Sequence, residues 1–304
     1  MRLDFASHRY RLHLRACGRS QHTMAQIERH VGALCAFLGP RSRLESVRPA
    51  ALARYFAGPA ARQTGEGKAR SAATVNAMLS TVRSFFRFAT QAGWIRTDPS
   101  RLLRRARCAP APPRALAPDE VSRLLDAVQA SGPPRDRALF AVLAATGLRL
   151  GSALSLDVAD LDFGRREITV RRAKGNRPTT AVMPEGLARQ LEGFVQGREH
   201  GPLFEGAGGR ALSSRQAQRL FAQYCTRARI HRAASPHSLR HSLGQRLYEA
   251  TGDVLLVQAA LSHRSIRSTL VYAQADRARV KAALDALGTD LEREGAVQAL
   301  CQGA

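Results

Sequence analysis

The chain has 304 residues with formal net charge +23, an isoelectric point near 11.4 and 44% hydrophobic residues. That is enough apolar matter for two cored domains, and it excludes a disordered basic tail. Lysine occurs only at Lys68, Lys174 and Lys281, so the basicity is nearly all arginine, the mark of GC-rich coding.

Residues 1 to about 100 read as helical, and the opening MRLDFASHRYRLHLR is charged, without the apolar core of a secretion signal. Ser20 to Thr23 reads as a cap before a helix running to about Leu38, which Gly39-Pro40 ends. A second helix follows Pro49 to about Ala57, and ARQTGEGKAR is a polar loop. The clearest helix runs from about Ala72 to Ala92 with Ser71 as cap. Val75, Met78, Leu79, Val82, Phe85, Phe86 and Ala89 mark one face. Asn76, Ser80, Arg83, Arg87 and Thr90 lie on the other, a face for solvent or for phosphate.

RLLRRARCAPAPPRALAP, residues 101–118, changes character, with arginines first and prolines after. Proline-rich sequence without apolar period is an extended linker. The expected division is a helical domain over 1–108, a linker over 109–117, a second domain over 118–288 and a tail over 289–304. Arg83, Arg87, Arg104 and Arg105 are candidate DNA contacts, since arginine forks onto phosphate oxygens.

PDEVSRLLDAV opens the second domain with Pro118 near a first helical position and acids in the first turn. A buried helix spans about Asp136 to Ala145, inside an apolar stretch too short for a membrane span. Gly147 can end it and turn the chain. Two β-branched runs, about Glu167 to Ala173 and Thr179 to Met183, flank a Lys174-Gly175-Asn176-Arg177 hairpin turn. Helices dominate from about Ser213 to Leu287. Ser235 and Pro236 read as the cap and first residue of one of them, and Asp253 to Leu261 as another. The five cysteines, Cys17, Cys35, Cys108, Cys225 and Cys301, are scattered with no CxxC pair. They support neither a zinc site nor a disulfide framework, and fit a reducing cytoplasm.

Along this frame six residues fall in order: Arg149, Lys174, His237, Arg240, His263 and Tyr272. Two arginines can neutralise the charge that develops on a phosphate. Two histidines can donate hydrogen bonds or move protons. A lysine can protonate a leaving oxygen, which an arginine cannot near neutral pH. A tyrosine hydroxyl can attack as a covalent nucleophile. His237 and Arg240, three apart at a helix start, share one face where an anion is favoured. His241, about 100° further round from Arg240, reads as supporting. The set suits phosphoryl transfer on nucleic acid with neither metal nor cofactor.

ATGLR, AKGNR, PHSLRH and LSHRSIRSTLVY carry these residues, and in this order they resemble the tyrosine recombinases, the phage integrase and Xer-like family. GPLFEGAGGRALSSRQAQRLF and TVNAMLSTVRSFFRFATQAGWIRTDPS resemble the family in their own regions, so the likeness runs through nearly the whole chain. It implies a mainly α fold with a small antiparallel sheet, in which a SAM-like helical domain and a catalytic domain form a C-shaped clamp on DNA. It also implies site-specific recombination through a 3′-phosphotyrosine and a four-way junction. Double-stranded DNA with inverted-repeat half-sites is the implied partner, with a homotetramer on two sites, no membrane, and a cytoplasmic, nucleoid-associated location. The C-terminal tail would dock on a neighbouring protomer. Two positions depart from the pattern. Ser152 stands where an acidic residue commonly follows the first arginine by three, and Ser262 stands where glycine usually precedes the histidine. The alternatives are a type IB topoisomerase, a DNA-binding regulator with a dead site, and a structural basic protein.

Overall fold

The structure, a computed structural model, describes residues 1–39, 41–108, 115–171, 178–262, 269–270 and 285. The chain separates into two compact units, Met1–Ala111 and Pro112–Ala304.

The first unit is all α. Helix α1 (Leu3–Ala16) packs on α2 (Gln21–Leu38); α3 (Pro49–Ala57), the short α4 (Pro59–Arg62) and α5 (Ala72–Gln91) complete it. Ser20 and Ser71 accept the backbone N–H of Thr23 and Thr74, so both helices begin where the sequence places their caps. Each such cap is worth about 1 kcal/mol. Gly39, at φ 92°, ends α2 in a backbone conformation that suits glycine. The expected apolar face of α5 is the buried one, apart from Val75, which packs at the core's edge. The sequence does not delimit helix α1. Its buried residues Leu3, Ala6, Tyr10 and Leu14 keep helical spacing, but histidines and arginines stand between them.

The second unit has α7 (Pro134–Thr146) at its centre, against α6 (Pro118–Ser131), α9 (Glu185–Val195) and α11 (Pro236–Thr251). Ala138, Leu139, Phe140, Val142 and Leu143 bury most of the circumference of α7, which is why it reads as apolar all round. Helix α8 (Leu150–Ala153) follows the α7 corner, and α10 (Ser214–Arg227) and α12 (Val254–Ala260) complete the helical set. The sheet is a three-stranded antiparallel meander of β1 (Leu161–Asp162), β2 (Glu167–Val170) and β3 (Thr179–Val182), with Ile168 opposite both Leu161 and Ala181. Ile168, Val170 and Ala181 are buried, and the hairpin tip at residues 172–177 lies outside the described residues.

Two polar knots fix this unit. Asp136, 1% exposed, accepts hydrogen bonds from Arg135 and from the Tyr224 hydroxyl of α10. The buried Ser242 of α11 accepts the Leu116 N–H and lies within hydrogen-bond distance of the carbonyls of Leu116 and Ser238. That holds the segment leading into α6. Arg232 binds both oxygens of Glu120 beside it, and this bond holds the Glu120 carboxyl below its ordinary pKa.

Candidate active site

The second unit converges on one corner. Gly147 leaves α7 in the left-handed conformation, φ 62° and ψ 19°. A Cβ built there would lie 2.6 Å from Leu261 Cδ2 and 3.0 Å from Leu243 Cδ2, so the dihedral angle calls for glycine and those two side-chain tips would have to shift for any other residue. The next two residues, Leu148 and Arg149, carry the chain into α8, with Arg149 as its extended N-cap residue. The Arg149 side chain is half-buried, and no partner for it is seen among the described residues.

Arg240 lies on the buried side of α11 and is 3% exposed. Its guanidinium donates to the carbonyl of Gly147 and to that of Leu261. Gly147 stands two residues before Arg149, and Leu261 two before His263. One cation therefore ties together two segments that each lead into a residue of the ordered set.

His237 differs from its neighbour on the helix. Pro236 occupies the first turn of α11, and the Ser235 N–H is held by the Ser238 hydroxyl at 3.2 Å. His237 is exposed on that turn, although Arg240 three residues on is buried. Its ring meets the half-buried His241 edge to face, with centroids 4.7 Å apart. One turn of helix thus offers imidazoles to solvent and a guanidinium to the interior.

Ser262 ends the described part of this corner at φ 47°. The left-handed region is where a Cβ is disfavoured, which gives a physical reason for glycine being usual there. Ser152 is half-buried in α8, and its carbonyl accepts from the N–H and hydroxyl of Ser155. Among the described residues no carboxylate lies within ion-pair distance of Arg149. Lys174, His263 and Tyr272 lie outside the described residues. So does the whole of the expected tail, residues 289–304.

In the first unit Arg87, Arg104 and Arg105 are exposed and Arg83 is half-buried. The polar face of α5 has a second role that the sequence does not signal. Asn76 donates to the Ala106 carbonyl and accepts the Ala106 N–H, at 2.9 and 3.0 Å, while Arg105 donates to Ser80 at 2.7 Å. The arginine-rich segment is laid along α5 with Arg104 and Arg107 outward.

Among the described residues no group of three His, Cys, Asp or Glu is placed to hold a metal ion. No described helix is long and apolar enough to cross a membrane.

Residues 114–279 match the Phage integrase family, and residues 8–93 match the Phage integrase N-terminal SAM-like domain. The chain belongs to the phage integrase family. It is a tyrosine-type site-specific recombinase. Tyrosine recombinase XerC of Mycobacterium bovis (BCG Pasteur) is 33% identical over 281 residues, covering 88% of this recombinase and 92% of the relative. Tyrosine recombinase XerC of Neisseria meningitidis serogroup C is 30% identical over 266 residues, covering 85% and 87%. Among solved structures, the Tn1549 transposon integrase in complex with circular intermediate DNA superposes with TM-score 0.74 at 20% identity, covering 93% of this chain and 99% of that one. A lambda integrase dimer bound to a COC′ core site gives 0.69 at 23% identity, covering 88% and 96%. The recombinase therefore has the integrase fold, mainly α with a small antiparallel sheet, as the sequence reading expects.

Proposed function

We propose that this recombinase cuts and rejoins duplex DNA by two transesterifications at a site with inverted-repeat half-sites. Arg149, Arg240, His237 and His263 hold the scissile phosphate and neutralise the charge of its pentacovalent state. The Tyr272 hydroxyl attacks phosphorus, and the bond to the 5′-oxygen breaks. A histidine of the set takes the phenolic proton, and Lys174 gives a proton to the departing 5′-oxygen. A 5′-hydroxyl from a second duplex then attacks the 3′-phosphotyrosine, releases Tyr272 and reverses the proton transfers. The ester keeps the bond energy, so no cofactor is consumed.

Four protomers on two sites would exchange strands through a four-way junction, in a cytoplasmic, nucleoid-associated setting. Residues 1–108 would bind DNA through Arg83, Arg87, Arg104 and Arg105, residues 118–288 would carry the chemistry, and the tail would dock on a neighbour. The observation that most supports this reading is the bridging of the Arg149 and His263 segments by Arg240. A regulator with a dead site is the second reading, favoured only by Ser152 and by the lack of a nearby carboxylate on Arg149 among the described residues.

The test uses a nicked duplex whose site is first selected from random-sequence DNA by non-covalent binding to the wild-type protein. Wild type should give an SDS-resistant, protease-sensitive adduct, also in EDTA. Tyr272→Phe should bind the same DNA with the same salt dependence and give no adduct, because phosphate contacts dominate affinity. Lys174→Ala should be slow on normal DNA and rescued by a 5′-thiolate leaving group. An adduct from Tyr272→Phe would remove that residue as nucleophile, and no adduct from wild type would favour the regulator.

A further inference from the structure

We propose that Thr146, which lies outside the ordered catalytic set, is a positioning residue for Arg149. The inference rests on the reading of Arg149 as a phosphate ligand. Thr146 is the last residue of α7 and is 5% exposed. Its hydroxyl donates to the Val142 carbonyl at 2.7 Å, one turn back. The same oxygen accepts the Leu148 N–H at 3.3 Å.

These two bonds lock the corner at a critical place. Val142 belongs to the rigid core helix, and Leu148 is the residue before Arg149. The hydroxyl is thus a splint across Gly147, the one residue of the corner with backbone freedom. Gly147 is held from the other side by Arg240, through its carbonyl. The Gly147–Leu148 peptide, one before the peptide of Arg149, is therefore held at its N–H by Thr146 and at its carbonyl by Arg240. Leu148 is itself 9% exposed, so its N–H has little access to water should the hydroxyl be lost. Without the splint that N–H would seek another partner by rotating the corner, and Arg149 would turn with it.

Valine has the shape of threonine without the hydroxyl, so Thr146→Val keeps the packing and removes the splint; Thr146→Ser keeps the splint. On the selected nicked duplex, single-turnover cleavage by Thr146→Val should fall about 10- to 100-fold, the usual penalty for misplacing a positioned group. Half-site binding should change less than about twofold, since one phosphate is a small part of the DNA contact. Thr146→Ser should recover most of the rate. Adding Thr146→Val to Arg149→Ala should lose little more, because the splint acts only through that arginine. Hydrogen exchange at the Leu148 amide supplies a readout that needs no catalysis, and it should quicken at least about tenfold in Thr146→Val.

An unchanged cleavage rate in Thr146→Val, or a fully multiplicative loss in the double variant, would overturn the proposal. So would unchanged exchange at Leu148. If Arg149→Ala itself cleaves normally, the reading of Arg149 fails instead, whatever Thr146 does.

Discussion

At the residue scale, two left-handed positions flank the site with opposite expectations. Gly147 has its φ of 62°, and a methyl group there would displace the side-chain tips of Leu261 and Leu243. Gly147→Ala should cost about 2–4 kcal/mol, combining dihedral strain with overpacking. It should also reduce cleavage, because strain at this residue falls on the carbonyl that Arg240 holds. Ser262 adopts φ 47° with a side chain, so Ser262→Gly relieves strain and should raise stability by roughly 0.5–1 kcal/mol after the extra chain entropy is offset. Denaturant titration measures both. A destabilised Ser262→Gly would mean that the serine hydroxyl supplies more than the dihedral angle removes.

At the scale of elements, the knot between α7 and α10 gives a pH signature. Burial, and then the bond to Asp136, push the Tyr224 hydroxyl up to about 12 from an ordinary 10. A raised acid of this kind contributes stability that is fully present below its unfolded value and is lost as pH rises through the folded one. Stability should therefore decline between pH 10 and about 12, and Tyr224→Phe should lessen the dependence while lowering stability near neutrality by about 1–3 kcal/mol. The other buried acids with raised values, Tyr10, Cys35, Cys225 and Tyr55, titrate in both proteins, so the comparison isolates Tyr224. An identical alkaline profile in the variant would remove Tyr224 as a cause.

The elements legible in sequence are those whose signals are local. Ser20 and Ser71 cap where they stand, Pro49 and Pro118 sit at helix starts, and Gly147 ends α7 by its own dihedral angle. The apolar period of α5 is local too. What stayed hidden depends on partners far along the chain. Asn76 reads as a solvated face residue until Ala106 lies beside it, and Ser242 is featureless until Leu116 reaches it. The two-residue β1 is stabilised by pairing with β2, which its own sequence does not announce. At the site, the residue types and their order are readable, but the unequal exposure of His237 and Arg240 is not. Helical spacing puts them on one face, and only the packing of α11 against α7 sets how deep each lies.

At the scale of the molecule, each unit has its own apolar core, one built from Leu3 to Ala89 and the other from Leu116 to Leu239. Tyr10, Phe85, Phe88 and Trp94 give the first an aromatic centre, and the Tyr10 hydroxyl is satisfied by Ser84. A fragment of residues 1–108 should therefore fold alone, with a cooperative thermal transition and a helical circular-dichroism spectrum. It retains Asn76, Ser80 and the arginine segment they hold, so it should bind duplex DNA weakly and with strong salt dependence. A fragment that melts without cooperativity would show that the core needs the rest of the chain.

The burial of Arg240 also bears on how the recombinase treats the many small anions around it in a cell. A guanidinium already engaged by two peptide carbonyls, and shielded from solvent, is a poor trap for a drifting phosphate or nucleotide. Such an ion would have to reorganise the corner with no other contacts to compensate. A phosphodiester held in place by a long duplex brings that compensation with it. If Arg240 holds the scissile phosphate as proposed, the interior placement of its charge would act as a filter by size, leaving this guanidinium closed to abundant metabolites and responsive to the polymer.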